Sequence, residues 1–244
     1  MIKIIVKISI LVCVVFFAHH IFGQDIDQQK SISNSVDKYL KIVSSQSALY
    51  YGRLYDGQPR TETHPYLKDS KYAKSTLLYC EIFYPEELLL LDWNKNELII
   101  LTPDYNNVVL FPENLEYAEL HGYKIIYLQK ESLPENMLEG YYILLHSGKH
   151  TVLEKQTARL IIGAAVPGKY SSSEVDFDKK IRFYLNKNEI YYPILNKRGL
   201  LRQLKPHKKE LRKFISSNNW RFRRDAEELI TKTVKEYENL LGVQ

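Results

Sequence analysis

The sequence predicts an α+β fold: a mainly antiparallel β-sheet followed by two to three C-terminal α-helices. Two observations carry this. Residues 47 to 195 consist of short runs rich in Tyr, Ile, Leu and Val separated by Asn, Gly, Lys, Asp and Pro, the pattern of strands linked by turns. Beyond residue 196 the apolar residues recur at helical spacing. Strands first and helices afterwards place the helices to one side or end of an antiparallel sheet. The pattern leaves open whether that sheet is sandwich-like, closes partly into a barrel or divides into two small units.

The chain begins "MIKIIVKISILVCVVFFAHHIFGQ". Lys3 and Lys7 form a short positive region, Ile8 to Ala18 is an apolar run of signal-peptide length, and Gly23 offers a small residue before Gln24. Residues 1–23 are therefore expected to be a signal peptide. An uncleaved anchor would need about 20 apolar residues in a row, more than this run supplies. Cys13 follows Val12 rather than a small residue, which speaks against lipidation. Removing the leader leaves 221 of the 244 residues, enough for one sizeable domain or two small ones with proper cores. No second long apolar run follows, so the exported part is expected to have no transmembrane segment and to be periplasmic or peripherally attached to the cell envelope.

Residues 24–46 are polar and read as a poorly ordered leader, although Val36, Leu40 and Val43 share one side of a short helical pattern. The β domain then spans 47–195. "SALYYGRLYDG" and "STLLYCEIFY" read as its first strands. Three stretches repeat one design, apolar run, turn, apolar run: "LLLLDWNKNELIIL" turning at Asn94-Lys95-Asn96, "YYILLHSGKHTVLEK" at Ser147-Gly148-Lys149, and "RFYLNKNEIYYPIL" at Asn186-Lys187-Asn188. Asn and Gly tolerate the positive φ of tight hairpins. "NNVVLF" and "YAELHGYKIIYL" supply further strands. In "KIRFYL", Ile181, Phe183 and Leu185 should share a face opposite Arg182 and Tyr184. The run Leu88 to Leu91 does not alternate and is either a strand buried on both faces or a helical turn. Residues 164–178, "AAVPGKYSSSEVDFD", read as the longest loop.

The C-terminal helical segment is 196–244. Leu200, Leu201 and Leu204 make one apolar turn. Pro206 suits the first position of a new helix, where its missing N–H costs nothing. That helix carries Leu211, Phe214 and Ile215. Phe222, Ala226, Leu229, Ile230, Val234, Tyr237, Leu240 and Leu241 then form the stripe of a core-facing amphipathic helix.

Charge is concentrated here. Residues 197 to 224 hold eleven Lys or Arg and a single acid, Glu210, for a net charge of +10, on a body from 24 to 196 that carries −4. The densest stretch is "KPHKKELRKF", with Lys205, Lys208, Lys209, Arg212 and Lys213 as a basic patch for a partner. Nucleic acid would be held by such a stripe through its phosphates, but an exported chain meets little of it and no recognised nucleic-acid motif accompanies the charge. An acidic protein or an anionic membrane surface is the expected partner, each basic group near such a surface contributing about 1 kcal/mol. The plainer reading, that these side chains are the wet backs of helices, is compatible with it. Glu227, Glu228, Glu236 and Glu238 are expected to pair with part of the patch.

Catalytic signatures are missing from the sequence. It has no Gly-x-Ser-x-Gly elbow, Walker loop, dinucleotide fingerprint or His-Glu-x-x-His helix, and it calls for no cofactor. Cys80 reads as a buried, inert thiol in a strand. His146 and His150 flank a hairpin turn and read as surface residues, too few for a dedicated metal site. His64, before Pro65, and His121 have no assignable partner, so a hydrolase reading has nothing specific behind it. The 19 tyrosines offer a second class of function, glycan or small-ligand binding on exposed aromatic faces, against the plainer reading that tyrosine suits half-buried strand positions. Tyr50-Tyr51, Tyr141-Tyr142 and Tyr191-Tyr192 each put one ring on either side of the sheet, so some should face outward.

"LLYCEIFYPEELLLLDWNKNELIIL", "EYAELHGYKIIYL", "EGYYILLHSGKHTVLEK" and the block from "RFYLNKNEIYYPIL" through "KKELRKFI" to "RFRRDAEELI" resemble a group of uncharacterised exported proteins of the bacterial phylum Bacteroidota. The resemblance covers most of residues 47 to 241, departing at "LLLLDWNKNEL" and in the loop at 164–178. It implies export and a strand-then-helix fold, and transfers no catalytic residue.

Overall fold

A computed structural model describes residues 48–162 and 175–242. The expected signal peptide and polar leader lie outside them. The compact unit carrying sheet and helices runs from Leu49 to Gln244. The predicted α+β class holds: one open eleven-stranded sheet, antiparallel throughout, is followed by three helices. The strands are β1 (Arg53–Leu54), β2 (Ala73–Tyr79), β3 (Ile82–Asp92), β4 (Glu97–Leu101), β5 (Asn107–Val109), β6 (Leu115–Leu120), β7 (Tyr123–Leu128), β8 (Gly140–Ser147), β9 (Thr151–Ile162), β10 (Val175–Lys187) and β11 (Ile190–Ile194). Their order in the sheet is β1-β5-β4-β3-β2-β6-β7-β8-β9-β10-β11. Two meanders therefore share the β2–β6 seam, and the chain after β5 crosses back to build the second. Tyr79 holds that crossing, its hydroxyl accepting from the Phe111 N–H at 3.3 Å.

The three predicted hairpins form, with Asp92 closing the first turn through its carboxylate, which accepts from the N–H groups of Asn94 and Lys95. Two further hairpins were hidden in stretches that read as single strands. β2 and β3 join through Cys80-Glu81, and β6 and β7 through His121-Gly122, both residues of each turn at positive φ. Such paired left-handed residues match the twist of the flanking strands. Cys80 is consequently an exposed turn residue, not a buried strand thiol. "SALYYGRLYDG" is mostly irregular, a 3-10 turn at Ala48–Tyr50 and the two-residue β1. The expected loop at 164–178 ends in β10, since Val175–Asp178 pair with β9; residues 163–174 lie outside the described residues.

The sheet coils. Its β3–β4 turn reaches β9, where the Ala158 N–H donates to the Trp93 carbonyl at 3.3 Å and the Asn94 side chain donates to the Ala158 carbonyl at 2.9 Å. The concave side thereby encloses a core of Leu77, Leu89, Leu91, Leu98, Ile100, Ile125, Tyr141 and Ile143. The leucine run is a strand buried on both faces, because Leu90 packs on the opposite side with Ile99 and Val109 beneath Tyr55, Tyr66 and Tyr72. Of the tyrosine pairs expected to turn some rings outward, Tyr51 does so, 64% exposed, whereas Tyr141 and Tyr142 are both buried, in different clusters. In "KIRFYL" the alternation holds for Phe183 and Leu185, but Ile181 is exposed and Tyr184 is buried opposite.

The helices are α1 (Lys197–Gln203), α2 (Lys208–Ser217) and α3 (Phe222–Leu240). Pro206 precedes α2 instead of opening it, with His207 at the cap position. Leu200, Leu201, Leu211, Ile215, Leu229, Ile230, Val234 and Tyr237 close with Val152, Phe183, Leu185 and Ile194 of the sheet into a second core. Burying each such aliphatic side chain contributes roughly 1.5–3 kcal/mol, so this stripe holds the helices to the sheet. Among the described residues no helix is long and apolar enough to cross a membrane.

Candidate functional site

The apolar stripes decide where the cations go. Leu200 and Leu201 turn one side of α1 inward, leaving Arg198 and Arg202, one turn apart, exposed. In α2, Leu211 and Ile215 are buried while Lys209, Arg212 and Lys213 face solvent. Lys205 is exposed and Lys208 half-buried. Four of these cations, Arg198, Arg202, Lys205 and Lys208, line one cleft of about 490 Å³, whose wall includes Pro193 and Leu195 and which has no carboxylate in its lining among the described residues.

Of the five residues singled out from the sequence, the structure brings Lys205 and Lys208 together in this cleft. Lys209, Arg212 and Lys213 sit on the neighbouring face of α2. Arg198 and Arg202 belonged to the +10 segment but were not distinguished in it, because only the folded turn after α1 brings them beside Lys208.

The expected pairing of Glu227, Glu228, Glu236 and Glu238 with the basic patch does not form among the described residues. Glu227 accepts from the Tyr123 hydroxyl at 3.3 Å, Glu236 from the Asn239 amide at 3.3 Å, and Glu238 is taken by two histidines. Within 197 to 224 the one ion pair among the described residues is Arg224 with Asp225.

Glu238 forms the second arrangement of interest. Its Oε2 lies 2.8 Å from His146 Nε2, and its Oε1 lies 3.0 Å from His150 Nδ1 while accepting the His150 backbone N–H at 2.7 Å. His150 is 2% exposed. The surface reading of these histidines is overturned: the hairpin presents them to the last turn of α3, and the carboxylate clasps both. Burial pushes the Glu238 carboxyl up, but the His150 N–H and the two imidazoles outweigh it and hold the group below the usual carboxylate range. No local signal ties residue 238 to the 146–150 hairpin.

Beside it, Tyr237 meets the His150 ring edge-on at 5.3 Å and donates its hydroxyl to the Lys205 carbonyl at 2.5 Å. Lys187 Nζ donates to the Gln203 carbonyl at 3.2 Å. The clasp therefore anchors the helix that in turn fixes Lys205 at the cleft.

Gly148 is required by this packing. A Cβ there would lie 2.5 Å from Glu238 Oε2 and 2.9 Å from His146 Nε2. Gly148→Ala is expected to cost about 1–3 kcal/mol by overpacking, measured by urea unfolding. In a double-mutant cycle with Glu238→Ala the cost should largely vanish, because the crowded carboxylate is gone.

The clasp does not resemble a nucleophile's base. No serine or threonine hydroxyl is hydrogen-bonded to His146 among the described residues, and the carboxylate is spent on three donors. His121 sits at a turn on the rim of a shallow cleft with Ser75 and Glu119, without a hydrogen bond to either. His64 stacks on Tyr66, its buried Nδ1 unpartnered; burial and the nearby Lys179 hold it below the usual histidine range. Among the described residues no group of three or more His, Cys, Asp or Glu is arranged to hold a metal ion. For the aromatic alternative, a smaller cleft of about 240 Å³ has Tyr127 and Tyr141 in its wall, while the most exposed tyrosines, Tyr51 and Tyr105, lie apart from it.

No protein-family model, curated protein or solved structure matches the chain.

Proposed function

We propose that this is a non-enzymatic envelope protein, exported by its N-terminal leader, whose basic C-terminal helical face binds an acidic protein or an anionic membrane surface. One observation carries the reading: Lys205, Lys208, Lys209, Arg212 and Lys213, with Arg198 and Arg202, follow one another along α1, the turn after it and α2 with no carboxylate in ion-pair range among the described residues, and four of the seven line one cleft. Charges held together without internal partners repel one another, and an anionic partner relieves that repulsion. The coiled sheet and the Glu238 clasp serve as the scaffold. Glycan or small-ligand binding keeps the support of Tyr127 and Tyr141 at their small cleft alone, and among the described residues no assembled nucleophile supports a hydrolase.

The test is cross-linked affinity purification of tagged protein from the cell envelope, comparing wild type with a variant carrying glutamate at all five residues from Lys205 to Lys213 named above. Each reversal removes about 1 kcal/mol of attraction, so capture should fall by at least a thousandfold and weaken with salt in the wild type. A partner retained equally by both proteins overturns the reading.

A further inference from the structure

We infer that the cleft between α1, the end of β11 and the start of α2 is a site for a phosphate ester carrying two or more negative charges. The inference rests on the basic face being the functional surface, and narrows that surface to a pocket and a chemistry.

The cleft is distinct from the rest of the patch in shape and in composition. Arg198 and Arg202 present two guanidinium groups one helical turn apart, and Lys205 and Lys208 bring two ammonium groups from the following turn and helix. A guanidinium offers a planar fork of N–H donors that matches two oxygens of a phosphate, whereas ammonium groups add charge without fixed direction. Two forks and two point charges around one cavity suit an anion with several oxygens and more than a single charge. Among the described residues no carboxylate lines the cleft, so no internal anion competes for those donors.

Size and the remaining wall refine the class. About 490 Å³ falls in the range of small-molecule sites, more than a lone phosphate fills. Leu195, 76% exposed, and Pro193 provide an apolar wall beside the cations. A ligand with a phosphorylated head and a less polar body uses both. A phospholipid headgroup and a soluble sugar phosphate or diphosphate share this chemistry.

Two cation-to-glutamine variants separate the cleft from the diffuse patch: Arg198→Gln with Arg202→Gln, and Lys209→Gln with Arg212→Gln and Lys213→Gln. All five side chains are exposed and make no ion pair among the described residues, so both variants should fold as the wild type does.

Inorganic pyrophosphate is titrated calorimetrically against each. Flotation with vesicles of phosphatidylglycerol in phosphatidylcholine follows at constant salt. Loss of two charge-assisted forks should weaken pyrophosphate binding about 100-fold in the arginine variant, while the α2 variant stays within about threefold of wild type, screening being the main change.

If flotation follows the same ranking, the phosphate belongs to a lipid headgroup. If pyrophosphate follows it and vesicles do not float, the source is soluble. Equal weakening by both variants overturns the cleft while leaving the basic face as a diffuse binding surface. Failure of wild type to bind pyrophosphate or vesicles also overturns the cleft; the affinity purification then decides the fate of the broader reading independently.

Discussion

Replacing Glu238 with alanine is expected to destabilise the protein by about 3–5 kcal/mol, the usual cost of breaking a buried, hydrogen-bonded charge cluster from one side. For a chain of this size that lowers the melting temperature by roughly 6–20 °C, read from thermal unfolding by circular dichroism. The magnitude follows from what is stranded. His150, 2% exposed, loses the acceptor for its backbone N–H and for its ring, and His146 loses its partner. Each orphaned buried donor costs about 1–3 kcal/mol. A pH signature distinguishes this from loss of packing. The Glu238 carboxyl is held below its ordinary value in the fold, so the clasp contributes fully above the unfolded pKa, near 4.5. It is lost as pH falls through the lower, folded value. Wild-type and Glu238→Ala stabilities should therefore converge in acid. A constant gap down to the acid limb would mean that the carboxylate's charge is irrelevant to the clasp.

Between pH 8 and 10 the wild type should gain about 2 kcal/mol of stability over Lys155→Met. Lys155 is 3% exposed, and its Nζ donates to Asn96 Oδ1 and to the Tyr141 carbonyl, both at 2.9 Å. Burial pushes the amine down to about 8, against a small opposing pull from Glu139. Over this window the unfolded chain holds a proton that the folded chain has released, so stability rises with pH. Toward pH 10 unfolded tyrosines ionise more readily than the buried ones, whose hydroxyls burial pushes up, Tyr141 among them, which lowers both proteins alike and leaves the difference between them. Denaturant midpoints at half-unit pH steps read this directly. A difference between the two proteins that stays constant across this window would assign the effect to other groups.

Reading the sequence succeeded where the chemistry is local. Asn94-Lys95-Asn96 announces its turn because Asn tolerates positive φ, and Asn188 does the same for the third hairpin, although that turn is Asn188-Glu189 with Asn186 and Lys187 still paired in β10; the 229-230-234-237 stripe announces its helix by spacing alone. It failed at Cys80-Glu81, where neither residue is a customary left-handed turn former although both adopt φ above +50°; the twist of β2 and β3 overrides propensity there. The basic surface was visible as a count, but the cleft was not, since α1 had to turn before Arg198 could join Lys208. The clasp was least visible: His146 and Glu238 are 92 residues apart, and their meeting depends on how α3 lies across β8 and β9. Asn96 illustrates the same limit. Its turn was foreseen, but not that its side chain would take Lys155 and the Tyr141 N–H from two other strands.

A sheet that stops short of closure keeps two rims, and a rim of unpaired peptide groups invites another chain to add a strand. One rim here is β1, two residues long, with Arg53 paired to Glu97 of β4. The other is β11, where Pro193, fourth of its five residues, stands opposite Tyr184 and has no N–H to offer a newcomer. Immediately beyond it the chain enters α1 with Lys197 and Arg198. Brevity guards one rim, and proline with positive charge guards the other, so an eleven-stranded sheet is discouraged from growing into a fibril.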